Sequence, residues 1–179
     1  MPSKKRSSTS RKRKLPKFRY FVDRNLGSVY LPEQLRQAGL EITVHDDLYK
    51  QCERDPLIFY ECGKKNLVVI TSDAAFRKSF PHMAAVALGK TTVIAFTQNN
   101  YKGEVRGRAF IKAKPLIENA LRKHRKRKRY FIGMVGMNGT FRVCDESPLP
   151  TRKTCDIKDW DSYEQVCRNE GVLPLRPKL

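Results

Sequence analysis

Four carboxylate positions in this chain could do chemistry together: Asp23, the adjacent Asp46 and Asp47, Asp55, and Asp73. Carboxylates gathered at one place repel one another unless a cation sits among them, and hard divalent cations prefer oxygen ligands. A cluster of this kind would hold one or two Mg2+ or Mn2+ ions, which polarise a phosphate and lower the pKa of a water that attacks it. Taken singly, each aspartate has a structural reading. An Asp after a strand is common as a turn residue, and Asp55 stands immediately before Pro56, as a helix cap would.

Their shared placement is what the surrounding elements must supply. Asp23 closes the apolar run Phe18–Val22, Asp73 follows Leu67–Thr71, and the pair Asp46/Asp47 follows the weaker run from Ile42 to His45. Between these runs, Leu31, Leu35 and Ala38 are spaced as on a helix that Gly39 stops, and Asp55-Pro56 opens a second helix. A short helix over 81–89, a buried strand over 91–96 and a longer helix over roughly 105–123 follow. The runs 130–135 and 140–144 alternate like a hairpin turning at Met137–Gly139. Strands alternating with helices predict an α/β fold around a mainly parallel sheet. In such sheets the site lies outside the carboxyl ends of the strands, where Asp23, the Asp46/Asp47 pair, Asp55 and Asp73 would all fall.

The chain's 179 residues suit one domain with tails. Its 37 Lys and Arg against 18 Asp and Glu leave a formal charge of +19, which predicts attraction to a polyanion, nucleic acid first. Residues 1–17 read as a disordered basic tail, 18–144 as the domain, and 145–179 as a Pro-rich arm with one short helix over 160–168. Arg24, Arg77 and Lys78 flank the aspartate turns and could meet phosphate oxygens. The run Arg125, Lys126, Arg127, Lys128 and Arg129 is a second phosphate-binding candidate, although cations at a helix C-terminus also complement its dipole. Tyr101 and Tyr130 border basic segments and could stack on bases, with packing as the plainer reading.

His45 beside the acidic pair reads as a strand-end residue bonded to backbone, with general base or ligand as the alternative. His82 and His124 have no evident partners. Five cysteines with no CxxC pair imply reduced thiols. Cys144, Cys155 and Cys167 with His124 match no standard zinc spacing. The N-terminus carries charge without an apolar segment behind it, and no run is long enough to span a bilayer, so a cytoplasmic protein is expected.

Phe-Val-Asp23-Arg-Asn-Leu-Gly, Leu-Arg-Gln-Ala-Gly-Leu-Glu-Ile, His-Asp-Asp, Asp55-Pro-Leu-Ile and Val-Val-Ile-Thr-Ser-Asp73 together resemble a PIN-like domain over roughly residues 18–143. The likeness is greatest to the VapC-like ribonuclease toxins of bacterial toxin–antitoxin systems. The resemblance implies a three-layer α/β/α sandwich and a Mg2+- or Mn2+-dependent ribonuclease. In it Asp23, Asp47 or its neighbour Asp46, Asp55 and Asp73 match the metal ligands. Thr71 matches a hydroxyl that supports the acidic cluster, and Asn25 lies in the turn after the first strand. An antitoxin covering the acidic site is implied as a partner besides RNA, and a homodimer is compatible. Ala75 stands where some relatives carry a further Asp, which weakens the case for a second ion. A non-cutting nucleic-acid-binding module and a DNA-directed nuclease of related fold are the alternatives.

Overall fold

A computed structural model describes residues 17–50, 53, 55–98, 100–147, 165 and 168–169. The tail 1–16, most of the arm beyond 147, and with them Cys52, Cys155, Cys167 and most of the expected helix over 160–168 lie outside the described residues.

One six-stranded sheet runs through the molecule: β1 (Arg19–Val22), β2 (Glu41–Val44), β3 (Leu67–Thr71), β4 (Val93–Phe96), β5 (Phe131–Val135) and β6 (Phe141–Glu146), in spatial order β2-β1-β3-β4-β5-β6. The first five are mutually parallel and only β6 is antiparallel, so the sheet reaches two residues past the expected boundary at 144. Strands β3, β4 and β5 are buried at every position, which is why they read as unbroken apolar runs. The edges β2 and β6 are partly exposed.

The helices are α1 (Tyr30–Gln37), α2 (His45–Leu48), α3 (Asp55–Lys64), α4 (Phe80–Gly89) and α5 (Gly103–Lys126). On one face of the sheet α1 packs with α5, around Leu31, Leu35, Phe110 and Ile117. On the other, α3 packs with α4, around Phe59, Cys62, Ala84 and Ala85. The result is a three-layer α/β/α sandwich. Gly63 and Gly89 permit the α3–α4 approach, since a Cβ on either would collide with the Thr91 hydroxyl and with facing backbone.

Other boundaries differ from expectation as well: β4 starts at Val93 rather than at 91, and His45, expected at a strand end, opens α2. Helix α5 is 24 residues long and runs through Lys126, because Lys and Arg are good helix formers and the cationic run does not stop it. Pro115 is tolerated on its exposed side. Asp55 lies inside the first turn of α3 rather than before it. No helix among the described residues is long and apolar enough to cross a membrane.

Candidate active site

The strand order places β1 beside β3, and their outgoing connections take opposite faces of the sheet: β1 leads to α1 on one side and β3 to α4 on the other. That divergence opens a crevice at the carboxyl ends of β1 and β3, where ligands of open α/β sheets bind. The register pairs Val22 with Val44 on one side and Ile70 on the other, so Asp23, His45 and Thr71 emerge in a row.

Thr71 is fully buried and organises the crevice. Its Oγ1 accepts from Asp73 N–H at 3.0 Å and from Asn25 Nδ2 at 3.2 Å. A hydroxyl has two acceptor sites and one proton. With both acceptor sites in use, the proton is directed to Asp23 Oδ2, 2.7 Å away. Asn25 ties the two turns together, its Oδ1 accepting from Ser72 N–H at 3.3 Å. The Asp23 carboxyl is therefore fixed from below. It is only 6% exposed, and burial raises its pKa above the ordinary carboxylate value. The Thr71 hydrogen bond opposes that rise, Asp55 adds to it, and the Arg24 amide and side chain oppose it.

Asp55 comes to the crevice from the start of α3, where its Oδ1 lies 3.4 Å from Arg24 Nη2, both side chains being partly exposed. Asp73 caps the short turn Ala74–Lys78, accepting from Ala75 N–H at 2.8 Å. His82, at the start of α4, is within electrostatic reach of both Asp55 and Asp73. Their charges raise its pKa, but burial lowers it by more, so the ring is neutral at neutral pH. Its Nδ1 lies 2.7 Å from Ser79 Oγ. His82 is the site residue that sequence reasoning missed. The signal available was its position two residues into the helix that follows the Asp73 turn.

The second acidic position divides. Asp47 turns back on its own helix, where its Oδ2 accepts from Val44 N–H at 3.0 Å. Asp46 faces a cavity of about 130 Å3 shared with Arg24, Gly27 and Ser28. His45 was expected to bond to backbone. Instead its Nδ1 lies 3.0 Å from Asp46 Oδ1, while its ring packs against Phe21 and Tyr49. Of the flanking cations, Arg77 is engaged by Asp145 of β6 at 2.8 Å, whereas Lys78 is exposed.

The basic run of residues 125–129 is not at this crevice. It follows α5 to the opposite end of the sheet. Tyr130 is buried, and its hydroxyl is raised to about 12 by that burial, while Tyr101 is exposed beside the start of α5.

Among the described residues no three Asp, Glu, His or Cys side chains are gathered closely enough to enclose a metal ion. What the crevice does offer is an all-oxygen pair, the buried Asp23 and the more open Asp55, whose charge adds to the cost of ionising Asp23. That donor set fits Mg2+, which keeps most of its waters and takes one or two carboxylates together with substrate phosphates. It does not fit a closed protein cage.

No curated protein and no solved structure matches this chain. A family model does: residues 18–98, which span β1 to the end of β4 and so carry Asp23, Asn25, Asp55, Thr71, Asp73 and His82, match the model described as a PIN like domain.

Proposed function

We propose that the carboxyl-end crevice is the centre of a metal-dependent nuclease that hydrolyses RNA phosphodiester bonds. The observation that carries this reading is Asp23, a buried carboxyl held by Thr71 with Asp55 beside it. The match to a PIN like domain over the same elements supports it, as do the +19 charge and the fit of the Asp23–Asp55 pair to Mg2+ or Mn2+. When bound, the ion would polarise the scissile phosphate and acidify a water.

The chain's own residues do the rest. Thr71 and Asn25 fix the orientation of Asp23. Asp55 supplies the second carboxylate, and Asp46 closes the β2 side. Arg24, half exposed against Asp55, is placed to take a phosphate oxygen once the Asp55 charge is matched by a cation. His82, neutral and half buried, adds no charge there.

Within this reading, the resemblance to VapC-like toxins points to an acidic antitoxin covering the crevice. A purified complex that resists high salt would argue against electrostatic capture of such a partner. A second reading, a PIN-like module that binds without cutting, is favoured by one observation: Asp47 and Asp73 both spend an oxygen on a backbone amide, and no three ligands close on one point.

Cleavage of an RNA and single-stranded DNA panel in Mg2+, Mn2+ or EDTA separates the readings. Metal-dependent RNA cutting lost in Asp23→Asn and Asp55→Asn supports the nuclease. Tight, salt-sensitive binding without cutting, equal in wild type and both variants, establishes the binding module. Cutting confined to DNA moves the substrate class.

A further inference from the structure

A cavity of about 250 Å3 opens at the amino ends of the strands, the pole opposite the carboxylates. Phe18, Leu67 and Phe131 give it an apolar wall at the starts of β1, β3 and β5. Lys90, Arg125 and Lys128 give it a cationic rim. From Leu67 to Thr71 the sheet alone spans about 13 Å, so this cavity and the crevice are separate places.

Cations are expected here for a plain reason. Helices α3, α4 and α5 all end at this pole, and their carbonyl ends favour positive charge. Two further observations go beyond that. His124 lines the cavity while only 2% exposed, its ring tilted against Phe131, and its Nδ1 is buried with no hydrogen-bond partner. Its Nε2 lies 3.6 Å from Glu146, which also pairs with Arg129. The second observation is conformational. Lys90 at φ 54° and Lys128 at φ 53° both sit in the left-handed region, at helix ends where glycine is favoured and a side chain costs stability. A dipole would be served as well by a lysine one turn earlier, in relaxed backbone. At these two positions the side chains are held over the cavity mouth at a conformational cost.

The chain also enters the fold here. Lys17 and Phe18 lead into β1 at this pole.

We propose that this cavity binds a nucleotide unit of a polynucleotide, the base against the Phe18–Leu67–Phe131 wall and the phosphate on Lys90, Arg125 and Lys128, with the His124 ring in the lining beside it. The site anchors nucleic acid away from the carboxylate crevice and does not depend on cleavage there.

The chain has three histidines, and they report three places: His45 and His82 at the carboxylate pole, His124 in the cavity. Histidine ring resonances of the full chain are followed in EDTA during titration with adenosine 5′-monophosphate, adenosine or inorganic phosphate. The monophosphate is expected to shift His124 saturably, at lower concentration than either fragment, leaving His45 and His82 in place. A shift confined to His82, no shift of His124, or phosphate alone acting as strongly as the monophosphate would overturn the proposal.

The double variant Lys90→Gly, Lys128→Gly provides the second arm. It relieves two left-handed lysines, so its melting temperature should hold or rise. Its affinity for a short single-stranded RNA in EDTA should fall about tenfold. The control Arg36→Ala, Arg108→Ala removes the same charge from exposed sites on the α1 and α5 helices. Equal weakening in the two double variants would mean that net charge alone binds RNA, and the cavity assignment would fail.

Discussion

Replacing Thr71 by valine keeps the β-branched shape and exchanges only Oγ1 for a methyl, which makes it a direct test of how the crevice is built. Three hydrogen bonds disappear. Those from Asn25 and from the Asp73 amide come from groups with access to solvent, so water takes over at small cost. The bond to Asp23 is different, because both partners are buried. A hydrogen bond to a charged group is worth about 1.5–3 kcal/mol, so Thr71→Val should cost about 2 kcal/mol at neutral pH. For a domain of this size that lowers the melting temperature by about 4–8 °C. The assay is thermal and urea unfolding of four proteins: wild type, Thr71→Val, Asp23→Asn and the double variant. If the charge-assisted bond dominates, the Thr71→Val cost should fall to about 1 kcal/mol in the Asp23→Asn background, where only a neutral acceptor remains. Thr71→Ser should retain the coupling to Asp23. A cost below about 0.5 kcal/mol, or the same cost in both backgrounds, would refute the claim that Thr71 holds an ionised Asp23.

Asp23→Asn alone should stabilise the fold at neutral pH. The native carboxyl binds its proton more tightly than the unfolded one, so stability falls as pH rises from the ordinary carboxylate range through the folded pKa, and the amide removes that loss; unfolding measured across acidic to neutral pH checks it. Mg2+ should raise the melting temperature of the wild type, by about 2.7 kcal/mol of stability at a hundredfold excess over Kd, and should leave Asp23→Asn unmoved. Asp47→Ala should cost about 1 kcal/mol through the lost cap while leaving RNA cleavage near wild type, whereas Asp46→Ala should lower cleavage and also cost about 1 kcal/mol by stripping the buried His45 ring of its partner; denaturant titration and the RNA assay check both. Gly63→Ala should be severely destabilising, by about 3 kcal/mol or more, because the added methyl meets the Gly89 backbone across the α3–α4 contact; denaturant titration decides it.

Much of this architecture was legible in the residues. Leu67-Val-Val-Ile-Thr and Val93-Ile-Ala-Phe read as buried parallel strands because burial on both faces removes the alternation that marks an edge. That Asp23, Asp55 and Asp73 all lie at the carboxyl pole of the sheet followed from one topological rule. What was not legible was side-chain commitment. Nothing in His-Asp-Asp distinguishes the aspartate that faces the Arg24 cavity from the one that bonds the Val44 amide, since a one-residue step on a helix decides it. Arg77 looked free for phosphate because its partner Asp145 lies 68 residues on, at an edge strand whose register no local pattern sets. The amino-pole cavity draws on residues from Phe18 to Phe131, and its left-handed lysines carry no sequence signature at all.

The two poles also separate what the fold needs from what function would need. Each strand-helix-strand unit points its helix N-terminus at the carboxyl pole and its C-terminus at the amino pole, so the backbone alone favours acids at one end and bases at the other, by about 0.3–1 kcal/mol per charge. Asp55 in the first turn of α3, and Asp73 capping its turn, are accounted for on those grounds without any ligand. Asp23 is not. It belongs to a strand end, it is buried, and its ionised form is opposed both by desolvation and by Asp55. A carboxylate retained for packing would be missed when neutralised; one that the fold merely tolerates would not. The same asymmetry applies to Lys90 and Lys128, which the helix dipoles explain in charge but not in conformation. Neutralising Asp23 and relaxing the two lysines should each leave a protein at least as stable as the wild type. That joint outcome is what distinguishes residues kept for a ligand from residues kept for the fold.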